Sequence, residues 1–200
     1  MIRKSAFTLA LCAALLASPL VDATTLSQPK GASVPVRARG FIQRWQLLEP
    51  IPVPGRLTES AVQEALQAHP LPPSPAWHAV DTANYNVNLY HFAYALGKPT
   101  SNVLFWVTTV IESPREMSGV RLAIGSNAAS RWWLNDEPVI ALNDDRQAVI
   151  DDGVSRRLTL RKGRNVIRAA IINGGGATDF CARFLDANDQ PVQDLEVVIP

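Results

Sequence analysis

An antiparallel all-β sandwich or barrel is the fold class that the sequence predicts, and three observations predict it. From residue 86 onward, short β-rich runs alternate with polar turns such as Asn135-Asp136, Asp151-Asp152-Gly153, Lys162-Gly163 and Gly174-Gly-Gly176. Val103-Leu-Phe-Trp-Val-Thr-Thr-Val-Ile111 is β-branched and aromatic, the composition of a central strand buried on both faces. One stretch, Thr58 to Ala68, carries a good helical pattern.

The N-terminus reads as an export signal. Arg3 and Lys4 precede the apolar run Ala6–Leu20, and Val21-Asp22-Ala23 offers small residues where a signal peptidase cuts. Residues 1–23 are therefore expected to be removed. A membrane anchor fits less well, because Pro19 breaks a run already shorter than the ~20 residues a span needs. Cys12 comes too early, behind a bulky Leu11, for a lipoprotein site. No later segment is long and apolar enough to span a bilayer. The expected location is periplasmic or extracellular.

The chain has 19 basic and 18 acidic side chains, and losing Arg3, Lys4 and Asp22 brings the remainder to balance. Zero net charge argues against nucleic acid or an anionic membrane as partner. Residues 24–39 lack periodicity and read as a flexible leader. Residues 40–200 then form one domain, large enough for a real core. Cys181 is the one cysteine left after cleavage and reads as a buried thiol between Phe180 and Ala182.

Within the domain, Gly40–Leu48 is the first strand. Pro50, Pro52 and Pro54 then make an extended segment without ladder donors. The helix over 58–68 has Ser60-Ala-Val-Gln63 as a capping box, with Thr58 as a rival cap, and places Val62, Ala65 and Leu66 on one face. His69-Pro-Leu-Pro-Pro-Ser-Pro75 ends it and delivers Trp77 in a loop. Asn86–Tyr94 alternates and reads as a strand. After 103–111 come strands at 120–124, 130–134, 138–142, 154–160, 165–172, 177–185 and 195–199, with a short one at 147–150. In Trp132-Trp133 the rings point to opposite faces, so one enters the core. Gly163 serves a turn that needs positive φ.

These residues carry a resemblance. Phe41-Ile-Gln-Arg-Trp45 leads into Leu48-Glu-Pro-Ile-Pro52; a strand runs from Trp106 to Ser113-Pro114; a Gly125-Ser126 turn precedes Trp132-Trp133-Leu134 and the Asn135-Asp136 hairpin. Leu160-Arg-Lys-Gly-Arg-Asn165 and Phe180-Cys-Ala-Arg-Phe-Leu-Asp186 follow. Over roughly residues 40–192 the chain resembles the galactose-binding-domain-like sandwiches of exported bacterial proteins. The resemblance implies a jelly-roll topology and, in that group, glycan-linked function. Two departures stand out. Asn127-Ala128 replaces the acids that often follow Gly-Ser, and Asn-Asp replaces Asn-Gly at the hairpin.

The chemistry points to binding rather than catalysis. Gly-x-Ser-x-Gly is absent, and His69, His78 and His91 match no zinc signature. A small hydrolase is the third reading, without a constellation to support it. Sugar rings stack on aromatic faces while neighbouring amides and charged groups bond the hydroxyls. Trp77, with Asn84, Tyr85 and Asn86, forms the first candidate ligand face, although Trp77 is explained at least as well as a plug at the sandwich end. Arg183 either pairs with a buried acid or points to a ligand. Asp144, Asp145, Asp151 and Asp152 read first as two solvated turns, with a structural calcium site as the alternative; no other cofactor is expected. The sequence thus predicts an exported, non-catalytic carbohydrate-binding protein, with a structural subunit docking on an envelope or secreted protein as the alternative.

Overall fold

The computed structural model describes residues 26–27, 30–36, 39–53, 77–143 and 147–199. The expected signal (1–23), the helix over 58–68, His69, Asp144 and Asp145 lie outside the described residues. In chain order the elements are β1 (Leu26–Ser27), β2 (Ser33–Pro35), β3 (Arg44–Leu48), β4 (Ile51–Pro52), β5 (Trp77–Thr82), β6 (Val87–Asn88), α1 (Leu89–Ala95), β7 (Val103–Ser113) and β8 (Met117–Ser126). Then follow β9 (Ala129–Leu134), β10 (Glu137–Leu142), β11 (Gly153–Val154), β12 (Leu158–Leu160), β13 (Gly163–Asn173), β14 (Asp179–Leu185) and β15 (Glu196–Val198).

The strands form two antiparallel sheets. The larger runs β1-β5-β3-β7-β13-β9-β10, with β4 and β15 also on β7, and β2 on β15. The smaller runs β11-β8-β14-β6, with β12 also on β8. Strand β7 is central, as its composition requires: it pairs with β13 from Ser113↔Gly163 to Val103↔Asn173 and is buried along almost its whole length. Part of the segment read as a leader is paired, since Ser33–Pro35 lies against Glu196–Val198.

The two sheets enclose an aromatic centre. Trp45, Trp132 and Phe180 meet edge to face, with Trp45–Phe180 centroids 5.0 Å apart at 88° and Trp132–Phe180 5.5 Å apart at 68°. Both buried indole N–H groups are satisfied: Trp45 Nε1 donates to the Ile42 carbonyl at 2.9 Å, and Trp132 Nε1 to Ser130 Oγ at 3.0 Å. Trp133, one residue on, faces outward and stacks on Trp106, with centroids 5.7 Å apart. Trp106 is buried, but in a second apolar cluster with Leu48, Leu104, Ala170 and Ile172. Period-2 alternation puts that cluster on the outer face of the larger sheet.

The hairpin and the Leu-x-x-Gly-x-Asn motif act as one joint. Asn135 (φ 51) and Asp136 (φ 70) make the left-handed pair that a tight two-residue hairpin needs, and Gly163 takes φ 80 at the second turn. Asn165 is fully buried; its amide donates to the Arg161 carbonyl at 2.8 Å and the Gly163 carbonyl at 3.0 Å. Its oxygen accepts from Arg161 N and from Asn135 Nδ2, both at 3.0 Å. The spacing therefore exists because one asparagine closes its own turn and ties it to the hairpin.

Four expectations are corrected. Residues 89–95 are a helix, not a strand. Asn88 caps it, its Oδ1 accepting from His91 N at 2.7 Å, and Gly97 (φ 65) ends it. Leu89, Phe92 and Ala93 are its buried residues, the i, i+3, i+4 face of a helix; the period-2 spacing of Val87 and Leu89 hid it. Trp77 opens strand β5 rather than sitting in a loop. Residues 147–150 form no strand. Gly125-Ser126 ends β8 instead of making a turn. It is a glycine because a Cβ there would stand 2.3 Å from the Val149 carbonyl oxygen.

Cys181 is buried opposite Gly125, and burial pushes its thiol up to about 11 from an ordinary value of 9.0, against the pull of its Gly125 backbone hydrogen bond. Because the shift is upward, the protonated thiol favours the fold below pH 9.0, and that contribution is lost as pH rises through about 11. Iodoacetamide at pH 8, read by site-resolved mass spectrometry, is expected to spare Cys181 in the native protein and to label it after urea unfolding. Prompt labelling of the folded chain would show an open thiol instead.

Candidate functional site

The structure separates the residues that the sequence grouped. Trp77 and the 83–86 loop stand at opposite ends of β5, about 17 Å or more apart at ~3.3 Å per residue.

At the loop end, Asn84, Tyr85, Asn86 and Arg183 are each held by surrounding residues, with Phe41 between Tyr85 and Arg183. Gln43 donates to the carbonyls of Ala83 (3.2 Å) and Asn84 (2.9 Å), and Asn86 Nδ2 donates to Asp179 at 2.8 Å. The Tyr85 ring, exposed at 43%, packs 5.4 Å from that of Phe41. Arg183 lies over the same Phe41 ring at 4.8 Å. Its Nε donates to Asp151 Oδ1 at 2.9 Å, its Nη1 to the Arg39 carbonyl at 2.9 Å, and its Nη2 also bonds Asp151. Arg183 thus pairs with an acid, Asp151, that is itself partly exposed. It clips the Asp151 turn to the strand entering at Phe41. What remains outward is Tyr85 and Asn84, on a knob rather than in a cleft.

Asp151 engages Arg183, and Asp152 has interactions of its own. Among the described residues no three His, Cys, Asp or Glu side chains cluster in a way that could hold a metal ion.

A second feature couples acid and base without a nucleophile. Glu49 accepts from His78 Nε2 at 3.2 Å and pairs with Lys98 Nζ at 2.7 Å. The Lys98 and His78 hydrogen bonds hold the Glu49 carboxyl below its usual range. Among the described residues the His78 ring bonds only Glu49, and the His91 ring bonds no Ser, Thr or Cys.

At the Trp77 end, the outer face of the larger sheet forms a trough of about 550 Å³, inside the size range of small-ligand sites. Its floor is a straight row set by strand register: Gln46 on β3 faces Thr108 on β7, which faces Arg168 on β13. Trp77, half-buried, forms one wall; Val166, Asn135, Asp136, Arg161 and Arg164 complete the lining. Thr108 Oγ1 donates to the Ile167 carbonyl at 2.9 Å, and Arg168 pairs with Asp136. The Gln46 amide makes no hydrogen bond to another described residue and faces the opening. Just beyond the row, the buried Trp106 Nε1 has no acceptor among the described residues.

Sequence reasoning missed Gln46, Thr108 and Arg168. The available signal was polar residues spaced by even numbers among the apolar residues of three strands. Nothing local says that the three line up.

No protein-family model matches the chain, and no curated protein matches it in sequence. Solved structures match it in fold. The PA14 sugar-binding domain from an RTX adhesin superposes with a TM-score of 0.52 at 13% identity, over 80% of this chain and 99% of that domain. An anti-sigma factor domain-containing protein from Clostridium clariflavum gives 0.46 at 10% identity, over 77% of this chain and 45% of that one. A β-glucosidase from Kluyveromyces marxianus gives 0.43 at 16% identity, over 82% of this chain and 20% of the enzyme. The chain thus spans less than half the length of the last two. The adhesin domain shows the fold, a two-sheet antiparallel β-sandwich, and at this identity it shows the fold alone.

Proposed function

We propose that this chain is an exported, non-catalytic glycan-binding protein, and that its binding surface is the Trp77 trough. One observation carries the reading: a half-buried indole stands beside a row of polar side chains, Gln46–Thr108–Arg168, in a trough on the outer face of the larger sheet. A sugar ring offers an apolar C–H face to Trp77 and hydroxyls to the Gln46 amide and the Arg168 guanidinium. The fold shared with a sugar-binding adhesin domain supports the reading by analogy, and the apolar N-terminal segment supports export. Among the described residues no helix is long and apolar enough to cross a membrane.

Docking on an envelope protein through a sheet edge has less support. The free edge strand β10 carries Pro138 and a register shift between Pro138 and Ile140, features that blunt strand addition.

Affinity electrophoresis against a panel of polysaccharides tests the reading. Retardation by at least one glycan is expected, and Trp77→Ala should weaken it about tenfold, the upper size of one stacking contact. Tyr85→Ala should leave it unchanged. Absence of retardation by every glycan, or equal retardation of the Trp77→Ala variant, would sink the proposal.

A further inference from the structure

The trough carries more positive charge than a neutral sugar needs. Most of the described arginines engage a carboxylate, as Arg168 does with Asp136 and Arg183 with Asp151. Arg161 and Arg164, which line the trough, form no ion pair with a described residue, and neither does Lys162 between them. All three are exposed on the turn that Asn165 closes. Glu112 stands opposite Arg164 by register, with Glu196 beyond it on β15, but neither lines the trough or lies within ion-pair distance of Arg164. Among the described residues Asp136 is the one carboxylate in the lining, and Arg168 pairs with it.

The base of the turn is rigid. Asn165 is buried with both ends of its amide bonded, and Asn135 Oδ1 accepts from Val166 N at 2.9 Å. Two guanidinium groups are thus held on a fixed backbone at the far end of a trough that begins at an indole. Trp77 stands two residues along β5 from Ala79, which is level with the Gln46–Thr108–Arg168 row, and Arg164 stands four residues beyond Arg168 on the other side. With three strand spacings across, the backbone span from Trp77 to Arg164 is roughly 24 Å, shortened by the reach of the two long side chains, which suits an oligosaccharide rather than one ring. Guanidinium groups recognise carboxylates and sulfates through forked, charge-assisted hydrogen bonds.

Resting on the glycan-binding reading above, we infer that the glycan is anionic: one ring stacks on Trp77, and a carboxylate or sulfate further along the same chain is held by Arg161 and Arg164. The balanced net charge of the domain fits a local, directed site rather than general attraction to polyanions.

Two matched pairs of probes test this by affinity electrophoresis and calorimetry: polygalacturonate against its methyl ester, and dextran sulfate against dextran. The acidic member of at least one pair is expected to bind about tenfold more tightly than its neutral partner, the worth of one strong charged contact. The preference should shrink with added salt and vanish in Arg161→Ala/Arg164→Ala, while Trp77→Ala weakens both members alike. The two pairs tell a carboxylate ligand from a sulfate one. Thermal melting verifies that each variant folds, and Arg161→Gln/Arg164→Gln replaces the alanines if the turn fails. Equal binding of acidic and neutral members, with no effect of the double variant, overturns the inference and leaves glycan binding standing. Binding of neither member of either pair, with no glycan in the wider panel retained, removes both. Tight binding of dextran sulfate and of an oligonucleotide alike, indifferent to Trp77→Ala, overturns the inference in favour of plain polyanion attraction.

Discussion

Trp132→Ala is expected to cost about 3–5 kcal/mol, the toll of emptying a large aromatic site in a packed core. Trp132 is fully buried and touches both Trp45 and Phe180 edge to face, so its removal takes one of two ring partners from each of them. The loss also orphans Ser130 Oγ, which now accepts the indole N–H. Typical domains have 5–15 kcal/mol in hand, so the variant should survive at low temperature with a much lowered midpoint. The control is one residue away. Trp133 is half-buried on the outer face, and Trp133→Ala should cost roughly 1–2 kcal/mol, through lost burial and its stack on Trp106. Urea unfolding of both variants, with slopes compared to confirm a two-state transition, measures the difference. Equal costs would mean that the sandwich interior is not where the register of β9 puts it.

That contrast was legible in the sequence, because it depends on a period of two and a nearby turn. The same holds for the Asn135-Asp136 hairpin, for Gly163 and for the central position of residues 103–111. Each is decided within a few residues. The helix at 89–95 was legible in principle, through the Asn88 cap and the Leu89, Phe92, Ala93 spacing, but Val87 and Leu89 also satisfy a strand pattern. Two competing local signals met, and contact of the helix start with the Thr178 carbonyl helps decide between them. Other features were not written locally at all. Arg183 lies 32 positions from Asp151, and no spacing rule joins them. The Gln46–Thr108–Arg168 row exists only once three strands have chosen their register. The trough is therefore a product of pairing, whereas the knob at Tyr85 was visible because its residues are neighbours in sequence. A reading from sequence alone selects sites of the second kind.

Asp81→Ala is expected to cost about 3–5 kcal/mol, because it strands a buried charge. The Arg44 side chain is fully buried. Its Nε and Nη2 donate to the two oxygens of Asp81 at 2.8 and 2.9 Å, while Nη1 and Nη2 donate to the carbonyls of Gly31 and Lys30 at 2.9 and 2.8 Å. The hydrogen bond to Asp81 raises the guanidinium above its ordinary value, and that support goes with the carboxylate. The intrinsic basicity of a guanidinium still keeps it charged at neutral pH, so neutralising Arg44 is no escape. Asp81 itself is 23% exposed, and water entering there should keep the cost toward the lower end. Replacing both partners, as Arg44→Met/Asp81→Leu, removes the charge together with its partner and should cost less than Asp81→Ala alone. A double-mutant cycle by urea unfolding checks this ordering, and a milder effect of the single variant would show that solvent already shields the pair. The pair also bears on function. It joins β3 to β5 at Arg44↔Asp81, the far end of the ladder that closes at Leu48↔Trp77. A slip of one residue in that ladder would turn Trp77 from the outer face to the inner one. On the glycan-binding reading proposed above, Asp81→Ala should therefore weaken retardation as the temperature approaches its lowered midpoint, below the temperature at which the native protein loses it. Full retention of binding up to that midpoint would separate the register of β5 from the site.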